Sequence, residues 1–186
     1  GNVVVLGFGT SNGTLAVNSI SASGGTIRAF AMPACIRNSS PGEETWVVFI
    51  DSGFTGTITA NISGSANHVL AAGEYSGVTG FGVGNSSAPA ATTDPSLSLS
   101  AFSGGGTPWT VGVFVANSAT DSTAGTGNLR SVGNLTNVTV AIVDNTSTTC
   151  AVTHASANWG IGVLELYDGG SELGNGAYTL TGTGTN

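Results

Sequence analysis

The sequence contains no lysine, and its only basic side chains are Arg28, Arg37 and Arg130, set against ten carboxylates for a net charge of −7. Displacing counterions from phosphates takes clustered Lys and Arg, so the chain is not built to bind nucleic acid. Anionic membrane surfaces are disfavoured for the same reason. Charge of either sign is scarce, at 7% of residues against about 25% in an average soluble domain. Long apolar runs are also missing. Stretches such as Val3-Val4-Val5-Leu6 fall far short of the roughly 18 residues that a membrane-spanning helix needs. Helical periodicity is absent as well, and thirty glycines weigh against helices, each costing about 1 kcal/mol relative to Ala in a helix interior.

What is present is apolar and hydroxyl-rich. Hydrophobic residues make up 40% of the 186-residue chain, which excludes a disordered, highly charged class. The length suits one domain with a sizeable core. Ser, Thr and Asn supply the polar surface without charge, a balance common on secreted proteins. The chain opens on Gly1 rather than Met, which we read as processing or trimming from something longer.

Alternation of period two recurs throughout and predicts strands. Val3 to Phe8 opens the series. Leu15, Val17 and Ile20 mark a second strand, and Ile27 to Met32 a third that Pro33 should stop. Trp46 to Ile50, Thr55 to Ala60 and Val69 to Tyr75 follow. Further strands carry Leu97, Leu99 and Ala101, then Val111, Val113 and Val115, then Val138, Val140 and Ile142. Cys150 with Val152 and Ile161 to Leu166 complete the core. Gly80 to Pro95 and Ser118 to Asn128 read as long surface loops. So many short strands predict an all-β fold, a two-sheet β-sandwich with jelly-roll topology and no significant helix. Residues 1–168 form that single domain in this reading. Residues 169–186 are a linker plus one further strand, in which Tyr178 and Leu180 share a face and which starts near Gly176. That strand either folds back onto its own sheet or is exchanged with the next subunit.

Gly56-Thr57-Ile58-Thr59-Ala60-Asn61-Ile62-Ser63, followed by Val69-Leu70-Ala71-Ala72-Gly73-Glu74-Tyr75-Ser76-Gly77-Val78, resembles an unnamed β-sandwich module of secreted bacterial proteins and phage structural proteins. In that module a TVTFSG strand leads to one ending in EYSGV. The alternating stretch Pro95 to Ser100 and the closing strand Ala157 to Val163 fit the same module. The resemblance spans most of residues 1–168 and departs at the C-terminus, where the module stops near Leu166. It implies a jelly-roll-like sandwich and no known chemistry.

Two cysteines, Cys35 and Cys150, lie too far apart in sequence for a metal motif. They are expected to form one long-range disulfide in an oxidising compartment, the alternative being two buried thiols. Asn-X-Ser/Thr triplets at Asn12, Asn38, Asn61, Asn85, Asn134, Asn137 and Asn145 are candidate glycosylation acceptors, although a chain rich in Ser, Thr and Asn makes such triplets by chance. Gly9-Thr10-Ser11-Asn12-Gly13 matches the nucleophile-elbow spacing, but that motif needs a helix after it, and a strand is expected there. His68 and His154, the only histidines, are expected half-exposed at strand ends. Glu74 and Glu165 each interrupt an apolar strand. Paired carboxylates could serve glycoside hydrolysis, but period two is expected to put each on a solvent face. Trp46 and Trp159 read as core, and Trp109, the best candidate for an exposed aromatic, is expected in the core as well. No catalytic, metal or cofactor site is expected. The chain reads as a non-enzymatic extracellular, cell-surface or virion-surface subunit that assembles with copies of itself. The alternative is a carbohydrate-binding or adhesive module with glycan partners.

Overall fold

A computed structural model describes residues 2–37, 39–51, 53–104 and 108–168. The chain is all-β there, and it is a β-sandwich. The first half contributes β1 (Asn2–Thr10), β2 (Val17–Ser23), β3 (Ile27–Ile36), β4 (Gly42–Ile50), β5 (Thr57–Ile62) and β6 (His68–Ser76). Of these, β3-β4-β1-β6 form one main sheet, and β2-β5 form a small sheet of their own. After β7 (Gly80–Ser87) and β8 (Ser96–Ser98) come β9 (Pro108–Ala116), β10 (Thr123–Ala124), β11 (Asn128–Leu135), β12 (Val138–Asn145), β13 (Thr149–Thr153) and β14 (Trp159–Tyr167). The second main sheet runs β11-β12-β9-β14-β7, and β10-β13-β8 form the other small sheet. Among the described residues the chain crosses between the main sheets once, after β6, at a turn where Gly77 has φ +76°, a left-handed conformation open to glycine without steric cost.

Three apolar layers hold four sheets together. Val3, Val5, Val47 and Val69 from the first main sheet meet Val113, Val115, Val140 and Leu164 from the second. On the far side of the first sheet, Val4, Leu6 and Phe8 pack under Val17, Ile20 and Ile58 of the small sheet. On the far side of the second, Phe114, Val143 and Ile161 pack under Leu99, Cys150 and Val152. The inner strands β1, β4, β9, β12 and β14 are therefore buried on both faces. This explains runs such as Val3-Val4-Val5-Leu6, since a strand buried on both sides loses its polar alternation.

The two halves are the same construction. β1 pairs with β4 and β6 as β9 pairs with β12 and β14, β3 flanks β4 as β11 flanks β12, and β2-β5 corresponds to β10-β13. The register agrees residue by residue. Thr10 stands opposite Gly42 and His68, and Ala116 opposite Thr139 and Trp159. Beyond them, the Ser11 N–H donates to Asn67 O and the Asn117 N–H to Asn158 O. Asn67 and Asn158 each close a Ser-Ala-Asn triplet, at 65–67 and 156–158. Even the β-bulges coincide: Ala34 opposite Thr45 and Ser131 opposite Ile142 are equivalent positions, each the first pair after a break in register. Packing follows a pseudo-two-fold axis, with β6 on β11 and β12, and β14 on β3 and β4. At its centre the symmetry is broken. Gly7 and Gly9 of β1 occupy the positions that Val113 and Val115 hold in β9, and a Cβ at Gly7 would come 2.6 Å from Val113 Cγ1.

Several expectations are corrected. Pro33 does not end β3, because it falls in the bulge between Ala31 and Ala34, where a missing N–H costs no ladder bond. The expected loop from Gly80 contains the strand β7, and the one ending at Asn128 contains β10. The expected disulfide is absent: Cys35 and Cys150 are free thiols. Cys35 lies opposite Glu44 in the first main sheet. Cys150 lies in the outer small sheet against the far face of the second. One whole sheet and two apolar layers separate their backbones. Sheets stack about 10 Å apart, and a disulfide needs Cα atoms within roughly 7 Å.

Candidate functional site

Glu74 and Glu165, the two carboxylates inside apolar strands, occupy equivalent positions. Glu74 stands opposite Val4, and Glu165 opposite Thr110, the counterpart of Val4. They point to opposite outer faces of the molecule, so the two main sheets lie between them. They cannot flank one glycosidic bond, which needs carboxyls about 5 to 9.5 Å apart. Glu74 is exposed and accepts from Asn2 Nδ2 at 3.3 Å. Glu165 is fully buried, contrary to the expected solvent face, because the loop after β8 closes over it. Its carboxylate accepts from the Ser103 N–H, the Ser103 hydroxyl and the Gly104 N–H, each at 2.8 Å. Burial pushes the Glu165 carboxyl up, but the bonds from Ser103 and Gly104 outweigh it and hold the group below its ordinary range. The side chain is an anchor for the loop leading into β9.

A second acidic pair went unnoticed in the sequence. Glu43 and Glu44 are both buried in β4, just ahead of the apolar run Trp46 to Ile50. Alternation sends them to opposite faces. Glu44 faces the small sheet, where Arg37 Nη2 stands 2.7 Å from Oε1. Trp46 Nε1 donates to its Oε2 at 2.9 Å, and the Val17 N–H to the same oxygen at 3.1 Å. It therefore ties the start of β2 to the main sheet. Glu43 faces the interior, where Thr45 Oγ1 donates to Oε1 and Oε2 has no partner among the described residues. Burial pushes this carboxyl well up, against the lowering effect of Thr45. The signal available in the sequence was two adjacent carboxylates abutting an apolar run.

The remaining candidates are dispersed. Ser11 is followed by β2, a strand, so the elbow geometry is not formed. His68 Nδ1 lies 2.8 Å from Ala66 O. His154 is buried rather than half-exposed, with its ring nitrogens at Ala155 O and Thr120 O. The ring of Trp159 meets His154 edge-on at 5.1 Å, and its Nε1 donates to Thr92 O. Trp46 and Trp109 are partly buried, each packed against an apolar layer. Burial first, and Asp144 second, push the Cys150 thiol up to about 12, so it is no thiolate at neutral pH. Among the described residues no group of three or more His, Cys, Asp or Glu could hold a metal ion, and no helix is long and apolar enough to cross a membrane.

Of the glycosylation candidates, Asn12, Asn61, Asn85, Asn134 and Asn137 are exposed and Asn145 is half-buried. Several already use their amides: Asn61 Nδ2 donates to Ser19 Oγ, Asn85 Nδ2 to Ser98 O and Asn145 Nδ2 to Thr149 O. Asn38 lies outside the described residues, as do Gly176, Tyr178 and Leu180.

Two surfaces stand out. β11 is an edge strand carrying Leu129 and Val132, each 37% exposed, and Leu135, 47% exposed. Its one charge, Arg130, is bound to Asp144. The second surface is an open groove of about 470 Å³ on the outer face of the first main sheet, lined by Val4, Leu6, Phe54, Ile58, Leu70 and Ala72. Beside it runs β6, which among the described residues is an edge strand of that sheet. No family model, no curated protein and no solved structure matches the chain, so nothing among known proteins identifies the module that its motifs resemble.

Proposed function

We propose that the protein is a non-enzymatic extracellular structural subunit that assembles with copies of itself, in a filament, surface layer or virion component. The observation that carries this reading is the β11 edge. An open strand edge offers unpaired N–H and C=O groups to another chain, and proteins that stay monomeric blunt such edges with Lys, Pro or free charge. Here eight residues present three exposed aliphatic side chains, and Arg130 is held by Asp144. The uncharged Ser, Thr and Asn surface adds little repulsion between copies. A carbohydrate-binding module would draw on an exposed aromatic platform, and the three tryptophans pack against apolar layers instead.

Sedimentation at rising concentration, with electron microscopy of the same samples, tests the proposal. Wild-type protein should form concentration-dependent oligomers. Val132→Lys should abolish them while leaving circular dichroism and thermal unfolding unchanged. A protein that remains monomeric throughout, or oligomers indifferent to Val132→Lys, would overturn it.

A further inference from the structure

Among the described residues the edge strands of the main sheets are β3, β6, β7 and β11, and three of them are poorly suited to a second copy. β3 carries Pro33, which has no N–H to give a neighbour, and its register breaks twice. The Val83 N–H of β7 already donates to Ser103 Oγ. β6 presents the exposed carboxylate of Glu74. All three arginines are already paired with carboxylates, so no free guanidinium is there to meet it.

β11 is the exception, and its bulge explains why. Leu129 stands opposite Val143 and Ser131 opposite Ile142, so Arg130 is the extra residue. An extra residue shifts the alternation of side chains by one. Leu129 and Val132, three apart, therefore share a face instead of pointing opposite ways. It is the face on which their neighbours Val143 and Ala141 enter the outer apolar layer. The bulge thus gathers two aliphatic side chains, each 37% exposed, on one side of an edge whose only charge is bound to Asp144.

Resting on the self-assembly proposed from this edge, we infer that β11 pairs antiparallel with β11 of a second copy, about a two-fold axis at Val132. The axis sets Val132 opposite the partner's Val132, with Leu129 diagonal to it, so four aliphatic side chains cover one another on one face. The small residues Ser131 and Gly133 flank the axis and meet across it. Antiparallel pairing also brings the Arg130 end of one strand to the Asn134 end of the other. Asn134 Nδ2 donates to Asp121, so the charges that meet there are of opposite sign. Five strands from each copy become one continuous sheet. Such a contact is closed, since each β11 fills the other's edge. The dimer is then the unit from which a filament or layer grows, and that growth uses other surfaces.

Val132→Cys in the full-length protein tests the axis, because residue 132 meets its own copy only about a two-fold. Mild oxidation should link two chains through the new thiols, located by peptide mapping that separates them from Cys35 and Cys150. Asn134→Cys sets its thiol several residues along the strand from its own copy, and should link on the order of 100-fold more slowly. Equal rates would overturn the register. Oligomers that vanish with Val132→Lys but never link through Val132→Cys would overturn the two-fold and leave self-assembly standing. A protein monomeric at every concentration removes both. Hydrogen exchange on the unmodified protein guards against a variant that fails to fold. Exchange at β11 amides should slow as rising concentration fills the dimer. Exchange that ignores concentration while oligomers form would overturn the β11 contact.

Discussion

Glu74 and Glu165 hold the same place in two sheets of the same construction, yet one is exposed and the other is sealed beneath Ser103 and Gly104. The strands around them differ in the same sense. Ile161 and Val163 are covered by the long connection between the halves, while Leu70 and Ala72 face the open groove. A residue's burial here is set by what the chain does after the strand ends, not by the strand's own pattern. Equivalent positions acquire unequal environments, and the environment decides whether a carboxylate is an anchor or a surface charge.

The comparison can be broken at its cores first. Phe8 and Phe114 are equivalent, both fully buried, one in each outer apolar layer. Phe8→Ala and Phe114→Ala should each cost about 3 to 5 kcal/mol, and each should shift a single urea transition if the sandwich unfolds as one unit. Two separate transitions would show that the halves are independent. Next come the glycines on the axis. Gly7→Val should destabilise by about 1 to 3 kcal/mol through overpacking against Val113 and Val140. Combining it with Val113→Gly should recover part of that loss, a non-additivity that a double-mutant cycle reads directly.

The carboxylates give a smaller contrast. Glu165→Gln should cost about 1 to 3 kcal/mol, since a donor replaces one acceptor facing Ser103 and Gly104, whereas Glu74→Gln should stay within about 0.5 kcal/mol. Glu165 titrates lower in the folded state. Its contribution is therefore present above the unfolded carboxyl range and is lost as pH falls through the folded value. Urea titrations between pH 6 and 2 (about the span over which carboxyls protonate) should show a shallower acid limb in Glu165→Gln than in the wild-type protein. Smallest of all is the effect of reductant. With one free thiol in each half, intact mass and melting temperature should not move on reduction, and half-buried Cys35 should alkylate well before buried Cys150. A mass gain of two hydrogens would restore the disulfide.

The interior was legible in the sequence, as were the apolar edge strands β3 and β6, but the polar edges β7 and β11 were not. β1, β9, β12 and β14 announce themselves because strands apolar on both faces leave runs of Val, Ile and Leu. β7 and β11 read Gly-Phe-Gly-Val-Gly-Asn-Ser-Ser and Asn-Leu-Arg-Ser-Val-Gly-Asn-Leu and were missed. Edge strands bury little side chain and are held by ladder bonds, which any residue but proline can make. The repeat was equally hidden. Sheets of this kind ask only for β-formers of suitable size, so the halves share little beyond the two Ser-Ala-Asn triplets, the paired phenylalanines and the paired glutamates. The absent disulfide was a failure of a different kind, because Cys spacing carries no information about which layer each thiol enters. Glu43 and Glu44 were passed over since alternation alone does not say that both faces of β4 are covered.

The glycines of β1 also govern which partners the halves accept during synthesis. Two first halves brought face to face would leave a void where Gly7 and Gly9 meet, and two second halves would drive Val113 and Val115 into one another. Only unlike halves fit, which is discrimination by a built-in clash as well as by contact. A growing chain with its first six strands made must therefore wait for its own second half. Neighbouring nascent copies at the same stage offer it no stable substitute, which removes one route to the misassembly that repeated architectures otherwise invite.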